Sequence, residues 1–180
     1  MISDYKKCIA ELGSKYMVLR EVNMGKLYKV APGVYSDSAS VSEIEILLAQ
    51  YPEVTFTSLS AYFYHGLTDS IPEKFNIASI RDSSKIKKAN VQQHFYPAKI
   101  FAIGIEEMPW ENTTIKLYDK ERMLIELVRH KNKMPFDLYK EIVSNYRNIS
   151  TSLDSEKLAD YIQNFPAANK IADTIQLEVY

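Results

Sequence analysis

Hydrophobic and polar positions change their spacing along the first part of the chain. Across residues 3–12, apolar side chains recur every three or four positions and Gly13 follows them, which predicts a short helix with a glycine stop. A second apolar-rich segment covers residues 16–24. In the next stretch apolar residues flank Pro32 and Gly33, a dipeptide suited to the central positions of a type II turn. We therefore predict a small β-ribbon around this turn.

After the ribbon the pattern alternates between helix and strand before it becomes helical throughout. A small polar stretch marks a linker, and Ser42 is predicted to cap a helix over residues 41–50. Thr57 or Ser58 is predicted to cap a short aromatic helix that stops at Gly66. Four apolar segments bounded by turn residues predict strands of an antiparallel or mixed sheet, at residues 75–80, 91–96, 101–106 and 113–118. Four helices are predicted to follow, at residues 119–131 with Asp119 as N-cap, 135–147, 154–164 and 166–176.

This order of elements predicts an α+β fold in two parts. Residues 1–37 form a small N-terminal module, and residues 38–44 form a linker. Residues 45–180 form a larger α+β domain, in which a mixed or antiparallel sheet is closed by C-terminal helices.

Composition places the chain among ordinary globular proteins. Its 180 residues are 46% hydrophobic and 25% charged, which is ample for a packed core. Cys8 is the single cysteine, so no intramolecular disulfide can form, which suits a reducing cytosol. The N-terminal segment lacks the apolar core of a signal peptide, and the apolar runs are too short for a membrane span. We therefore expect a cytoplasmic protein that does not contact a membrane.

Charge is segregated along the chain although the net charge is only −1. Residues 1–35 contain six basic and three acidic side chains, so a local surface can attract nucleic acid where the whole molecule does not. Lys15, Arg20, Lys26 and Lys29 are the candidate DNA-binding residues, and the last two flank the ribbon. The alternative is a solvated surface on a small docking module.

A second group of residues is a candidate partner-binding surface. Arg81, Lys85, Lys87 and Lys88 lie between two predicted strands with one acidic residue among them. They are suited to contact with nucleic acid, or with an acidic or RNA-bound partner, although a solubilising loop has the same composition.

Two further residues are ambiguous between a structural role and contact with a partner. Trp110 is either a rim residue that covers the end of the sheet or an exposed anchor for a partner. Arg122 is expected to pair with Glu126 four residues later or to reach back to a strand carboxylate, and the alternative is that it contributes to a contact with a partner.

Residue types with catalytic potential are scattered. The three histidines have no cysteine or histidine partner at metal-ligand spacing, and the five glycines form no phosphate loop. We therefore expect no catalytic site, no metal and no cofactor. A metal-dependent nuclease using Glu107 and Asp119 is the weakest alternative, since the Glu-x-Lys or Asp-x-Lys strand motif is missing.

Three sequence blocks follow one another in an order that carries a family resemblance. They are GKLYKVAPGVYSD, YPEVTFTSLSAYFYHGLTDSIPE and YDKERMLIELVRHKNKMPFDLYKEIVSNYR. In this order they resemble the AbiEi-type antitoxins. In that family the first block ends a winged-helix module, the second runs from a Tyr-Pro strand to a helix ending His-Gly-Leu, and the third contains a Tyr-x-x-Glu-Arg helix.

The resemblance implies a function and two partners. Residues 1–37 would be a winged-helix-like module that contacts operator DNA and represses the chain's own operon. The C-terminal part would counteract a nucleotidyltransferase toxin of the AbiEii type, in a type IV toxin–antitoxin system of the kind used in phage defence by abortive infection. The resemblance leaves open whether the toxin is bound directly, and it does not indicate an oligomeric state.

The N-terminal module departs from the family pattern in length. Only 25 residues precede Lys26, where a full winged helix places three helices before its wing. We therefore expect a reduced module in which one helix is shortened or absent, and the recognition helix itself is a candidate for that helix. The alternative function is a protein-interaction module that does not bind DNA.

Overall fold

The computed structural model describes residues 2–180, which divide into two units, each with a sheet of its own. The first unit ends at Val54 and the second comprises Thr55–Tyr180. Helices and strands are mixed in both units, so the predicted α+β class is confirmed.

The first unit begins with a strand and two helices and continues with a hairpin. Its elements are β1 (Ile2–Asp4), α1 (Tyr5–Leu12), α2 (Lys15–Asn23), β2 (Tyr28–Ala31), β3 (Val34–Ser36) and α3 (Glu43–Gln50). The strands form an antiparallel sheet in the order β1-β3-β2. The predicted helix and ribbon are confirmed, whereas the sequence pattern predicted no strand at β1, which is only three residues long.

Local chemistry explains where these elements start and stop. The Asp4 carboxylate accepts a hydrogen bond from the Lys7 amide at 2.8 Å and caps α1, and Ser14 caps α2 in the same way. Gly33 completes the tight β2–β3 turn with φ +74°, a conformation that glycine adopts without strain. A small cluster around Cys8 and Val18 packs the two helices against the sheet.

Helix α3 packs against β1 and β3 and therefore belongs to the first unit. Ser42 caps it through a reciprocal arrangement, in which the Ser42 hydroxyl accepts from the Glu45 amide and the Glu45 carboxylate accepts from the Ser42 amide. The boundary between the two units thus lies after Val54, whereas the sequence pattern placed the start of the larger domain at residue 45.

The second unit contains a mixed five-stranded sheet followed by helices. Its elements are β4 (Thr55–Phe56), α4 (Ser58–Tyr64), β5 (Phe75–Ile80), β6 (Val91–Tyr96), α5 (Ala98–Phe101), β7 (Ile105–Trp110), β8 (Thr113–Tyr118), α6 (Lys120–Arg129), α7 (Phe136–Ile149), α8 (Ser155–Ile162) and α9 (Ala168–Glu178). The strand order is β6-β5-β4-β8-β7, so β6 and β7 are the outer strands. Strands β5/β6 and β4/β8 are parallel, and the other two pairs are antiparallel.

Helix α6 lies at the centre of the second unit. Every residue from Glu121 to Leu127 is buried, including two glutamates and an arginine. Helices α7, α8 and α9 contribute buried apolar side chains to the same core. The Asp119 carboxylate accepts from the Arg122 amide at 2.8 Å and caps α6, as the sequence predicted.

The predicted strand at residues 101–106 is wrong. Residues 98–101 form the short helix α5, and β7 starts only at Ile105. Gly104 separates them, with φ +74° and with the Arg122 side chain packed against its α-carbon. The positive φ turns the chain there, so that β7 pairs with β8 from Ile105 onward.

None of the helices described for residues 2–180 has the length and apolar content needed to span a lipid bilayer.

Candidate functional site

The outward face of α2 is the most distinctive surface of the first unit. Lys15, Tyr16, Leu19, Arg20 and Asn23 are all exposed, whereas Val18 on the opposite face is buried. Helical spacing places these five side chains in two adjacent rows along one face. Tyr16 is 73% exposed and Leu19 is 50% exposed, so the face combines cations with uncovered apolar groups.

The hairpin after α2 adds two of the predicted basic residues. Lys29 lies on β2 opposite Tyr35 of β3, and its side chain is exposed. Lys26 lies just before β2, and its Nζ is 4.0 Å from the Glu21 carboxylate. None of the ion pairs found within residues 2–180 involves Lys15, Arg20 or Lys29. Of the four candidate DNA-binding residues, only Lys26 therefore has an acidic neighbour at contact distance.

Two acidic residues of the first unit make contacts that do not involve Lys15, Arg20 or Lys29. The Asp4 carboxylate caps α1, and Glu21 faces Lys26. The structure therefore brings Lys15, Arg20 and Lys29 to the surface of one small unit with their charges available. Such groups can contact backbone phosphates, and residues of the first turns of a helix can reach base edges in a groove.

The sequence pattern identified the cations of this face but not the side chains beside them. Tyr16, Leu19 and Asn23 were not singled out. Their signal was present in the sequence, since positions 15, 16, 19, 20 and 23 fall on one helical face.

The second predicted basic group lies between β5 and β6 in the second unit. Arg81, Lys85 and Lys87 are exposed, and Lys88 is half-buried. Three of these lysines line one groove together with Lys74, which the sequence pattern did not single out.

Arg122 is fully buried, so its side chain cannot make the surface contact with a partner that was one of its two expected roles. Its Nη2 lies 2.6 Å from the Glu126 carboxylate, which confirms the predicted pairing four residues apart. The guanidinium carbon is 4.3 Å from the Phe165 ring centroid and 4.8 Å from that of Tyr118. None of the three guanidinium nitrogens makes a hydrogen bond of good geometry.

Glu126 lies within contact distance of three basic side chains. Besides Arg122, Arg129 Nη1 lies 3.1 Å and His130 Nδ1 lies 3.1 Å from its carboxylate. Burial by itself would raise the pKa of Glu126, but the His130 hydrogen bond and the charges of Arg122 and Arg129 outweigh burial and lower this pKa. The carboxylate is therefore ionised at neutral pH in the interior of the second unit.

Glu126 and His130 also line a cavity of about 230 Å³ with His94, Tyr96 and Ser58. Burial lowers the pKa of His94, whose Nε2 lies 3.0 Å from the Asn76 amide oxygen. The sequence pattern treated the three histidines as isolated. The spacing of Glu126 and His130 at i and i+4 was the signal that could have joined two of these residues.

Trp110 and His65 each contact other residues of the second unit. The Trp110 ring lies 4.7 Å from the Tyr64 ring in an edge contact, and the side chain is half-buried at the end of β7. His65 follows α4, and its Nε2 donates to the Tyr118 carbonyl at 2.7 Å. Burial lowers the pKa of His65, which favours the neutral ring.

Asp119 is engaged in contacts within the second unit, where it caps α6 and pairs with Lys157 at 3.0 Å. Glu107 is exposed on β7. Within residues 2–180, no group of three or more histidine, cysteine, aspartate or glutamate side chains is arranged to hold a metal ion.

Comparison with known proteins gives a likeness of fold. No protein-family profile matches the sequence, and no curated protein matches it at a significant level. Among solved structures, the chain is similar to the RV2827C protein from Mycobacterium tuberculosis, with a TM-score of 0.63 at 13% sequence identity. The match covers 97% of this chain and 72% of that chain. A likeness at this level of identity shows the fold alone.

Proposed function

We propose that the chain is the antitoxin of a type IV toxin–antitoxin system, which contacts the DNA of its own operon through the first unit and counteracts a nucleotidyltransferase toxin of the AbiEii type. The observation that carries the DNA contact is the exposed face of α2, where cations without acidic partners lie beside uncovered apolar side chains.

The order of elements in the first unit supports this role. Two helices separated by a two-residue turn and followed by an antiparallel hairpin give the order of a helix-turn-helix with a wing. In helix-turn-helix proteins the second helix enters the major groove and the first crosses the backbone. By analogy with this order, we assign the role of recognition helix to α2.

We assign a separate contact to each of the exposed polar side chains of α2 and β2. Lys15 and Arg20 on α2 and Lys29 on β2 are placed to neutralise phosphates, while Tyr16 and Asn23 are placed to touch base edges or sugars. Lys26 contributes less, because Glu21 lies within 4.0 Å of it.

The toxin-directed role rests on the family resemblance of the block from Tyr118 to Arg147. In the second unit this block forms α6, α7 and the interior around them. Its buried side chains would set the shape of the unit, so a contact with the toxin would be made by exposed residues around it.

Exposure of Tyr16 and Leu19 favours the second candidate function, a protein-interaction module without DNA binding. Exposed apolar side chains on a helix that is not otherwise covered are common at protein interfaces. The two functions differ in the effect that they predict for an Arg20 substitution on DNA binding.

The DNA contact is tested by fluorescence anisotropy with duplex DNA from upstream of the chain's own gene, over a series of salt concentrations. Replacing Arg20 and Lys29 by alanine removes two phosphate contacts. We expect weaker binding and a plot of log affinity against log salt that is shallower by about 1.8, since each contact contributes about 0.9.

The matched control replaces Lys140 and Lys170, two exposed lysines of α7 and α9, and should leave binding unchanged. Unchanged DNA binding in the Arg20/Lys29 variant would refute the contact through α2 and the hairpin, and absence of DNA binding by the parent chain would favour the interaction module. The toxin role is tested by co-expression with the product of the adjacent gene, whose growth arrest should be relieved. Arrest that proceeds at the same rate with and without the chain refutes it.

A further inference from the structure

A groove of about 510 Å³ lies on the second unit beside the outer strand β6. Lysine side chains and one aromatic ring dominate its lining. The charged and aromatic members of the lining are Lys74, Lys85, Lys87, Lys88 and Phe95, and no acidic residue lines it.

The loop that forms one wall is held in place by the side chain of Gln93. Its amide oxygen accepts from the Ile86 amide at 2.9 Å. Its amide nitrogen donates to the Ser79 hydroxyl at 2.8 Å and to the Ser84 carbonyl at 3.2 Å. These bonds tie the lysine-bearing loop to β5 and β6, so the groove is a built feature of the sheet edge.

The groove concentrates positive charge in a chain whose net charge is −1. Residues 74–95 contain five basic side chains and one acidic side chain. None of the ion pairs found within residues 2–180 involves Lys74, Lys85 or Lys87. These lysines can therefore bind a polyanion without first breaking an ion pair within the chain.

Phe95 adds a flat apolar surface to this charge. It is 41% exposed, and strand alternation places it on the same face of β6 as Val91 and Gln93. A phenyl ring beside lysines is the combination used by proteins that bind single strands, where bases stack on aromatic rings and the backbone follows a basic groove.

We infer that this groove is a binding site for single-stranded nucleic acid, with phosphates on Lys85 and Lys87 and a base stacked on Phe95. A duplex fits less well, because its bases are stacked on one another and offer no free face to the ring. Poly-glutamate would neutralise the lysines but has no aromatic ring to stack on Phe95. The site lies in the second unit and is independent of the DNA contact proposed for α2.

The test measures binding of fluorescent oligo(dT) and oligo(U) of about 12 nucleotides to the full chain, a length within the range of known single-strand sites. We expect both to bind, more tightly than a duplex of the same length and more tightly than poly-glutamate. A preference for one of the two strands identifies DNA or RNA as the natural ligand. Equal or tighter binding of the duplex or of poly-glutamate overturns the inference.

Substitutions then separate stacking from charge. Phe95→Ala should weaken single-strand binding at least about fivefold, while Phe95→Trp should retain it. The matched control is Phe136→Ala on α7, an exposed ring away from the groove, which should bind as the parent does. Binding that is equal in the Phe95→Ala and Phe136→Ala variants would refute the stacking role.

Replacing Lys85 and Lys87 together should make the salt dependence shallower by about 1.4, at about 0.7 per phosphate contact on a single strand. The Lys140/Lys170 double replacement controls for loss of charge elsewhere. The Arg20/Lys29 replacement in the first unit should leave single-strand binding intact, so a failure of either nucleic-acid site can be recognised separately. A thermal unfolding curve for each variant establishes that it is folded before binding is compared.

Discussion

Arg122 places a permanent positive charge in the interior of the second unit. The side chain is fully buried, and its guanidinium lies over the rings of Phe165, Tyr118 and Tyr96. Ring faces carry partial negative charge, so they offset part of the cost of removing the cation from water. Glu126 supplies the full countercharge at 2.6 Å. Any change that removes one partner and leaves the other buried and uncompensated therefore destabilises the fold.

Glu126→Gln is expected to lower the free energy of unfolding by about 3 kcal/mol, because breaking a buried ion pair leaves an uncompensated charge. Urea denaturation measures this loss. Glu156→Gln, at an exposed position in the first turn of α8, serves as the control and should cost less than about 1 kcal/mol. Equal losses in the two variants would show that the interior charge is not balanced by Glu126.

The effect of Glu126→Gln should depend on pH in one direction. The pKa of Glu126 is lowered in the folded chain, so its carboxylate stabilises the fold above the ordinary value near 4.5, and this contribution is lost as the pH falls through the lowered pKa. The difference in unfolding free energy between the parent and the variant should therefore shrink as the pH is lowered from 7 into the acid range. A difference that stays constant over that range contradicts the assignment.

Gly104 has the strictest steric requirement of the five glycines. Its φ is +74°, and a β-carbon there would lie 2.6 Å from the Arg122 β-carbon. Gly25 has a similar φ of +69° but open space around it. Gly25→Ala should therefore cost about 1 kcal/mol from backbone strain alone, while Gly104→Ala should cost at least about twice that. Chemical denaturation of the two variants compares them, and equal costs would mean that α6 yields to the added methyl group.

At the scale of elements, capping residues and apolar spacing were enough to locate most helices and strands. Ser42 and Asp119 mark the starts of α3 and α6, and the alternation in residues 75–80 and 113–118 marks two strands. These signals are local, since a cap or a repeat acts within one turn or one strand. They do not depend on which other element lies nearby.

The errors came from contacts between distant segments. Strand β1 exists because residues 2–4 pair with β3, some thirty positions later, and three residues carry no recognisable repeat. Residues 101–106 have the composition of a strand, but the turn at Gly104 moves the strand to Ile105. The Arg122–Glu126 pairing was predicted, but the spacing of apolar residues did not indicate that both partners are buried.

The charge of the candidate surfaces could be predicted from the sequence, whereas the shape of the groove could not. Lys15, Arg20 and Lys29 are exposed, as candidates for DNA contact must be, and Lys85 and Lys87 are exposed in a loop. The groove beside that loop was not predictable, because it depends on the Gln93 side chain bonding to residues seven to fourteen positions away.

At the scale of the whole molecule, the two units differ in how much they bury. Among the described residues the first unit has seven buried apolar side chains, while the main cluster of the second unit has twenty, drawn mainly from α6 and from parts of α4, α7, α8 and α9. Small units bury a smaller share of their surface and are correspondingly less stable. The first unit should therefore open more readily than the second.

Native-state hydrogen exchange tests this difference. Amides of α1 and α2 should exchange with lower protection than those of α6, because local opening draws on regions with few buried contacts. Addition of the upstream operon DNA should raise protection in the first unit if α2 binds it. Protection of α1 and α2 equal to that of α6 in the free chain would contradict the expected order.

The two outer strands of the larger sheet carry different safeguards against unwanted self-association. Strand β7 presents exposed Glu106 and Glu107 and also Pro109, which has no amide hydrogen to offer to an incoming strand. The lysine-bearing loop precedes strand β6 and lines the groove beside it, and its like charges repel a second copy. Edge-to-edge growth of the sheet into aggregates is thus opposed by negative charge and a proline on one side and by positive charge on the other.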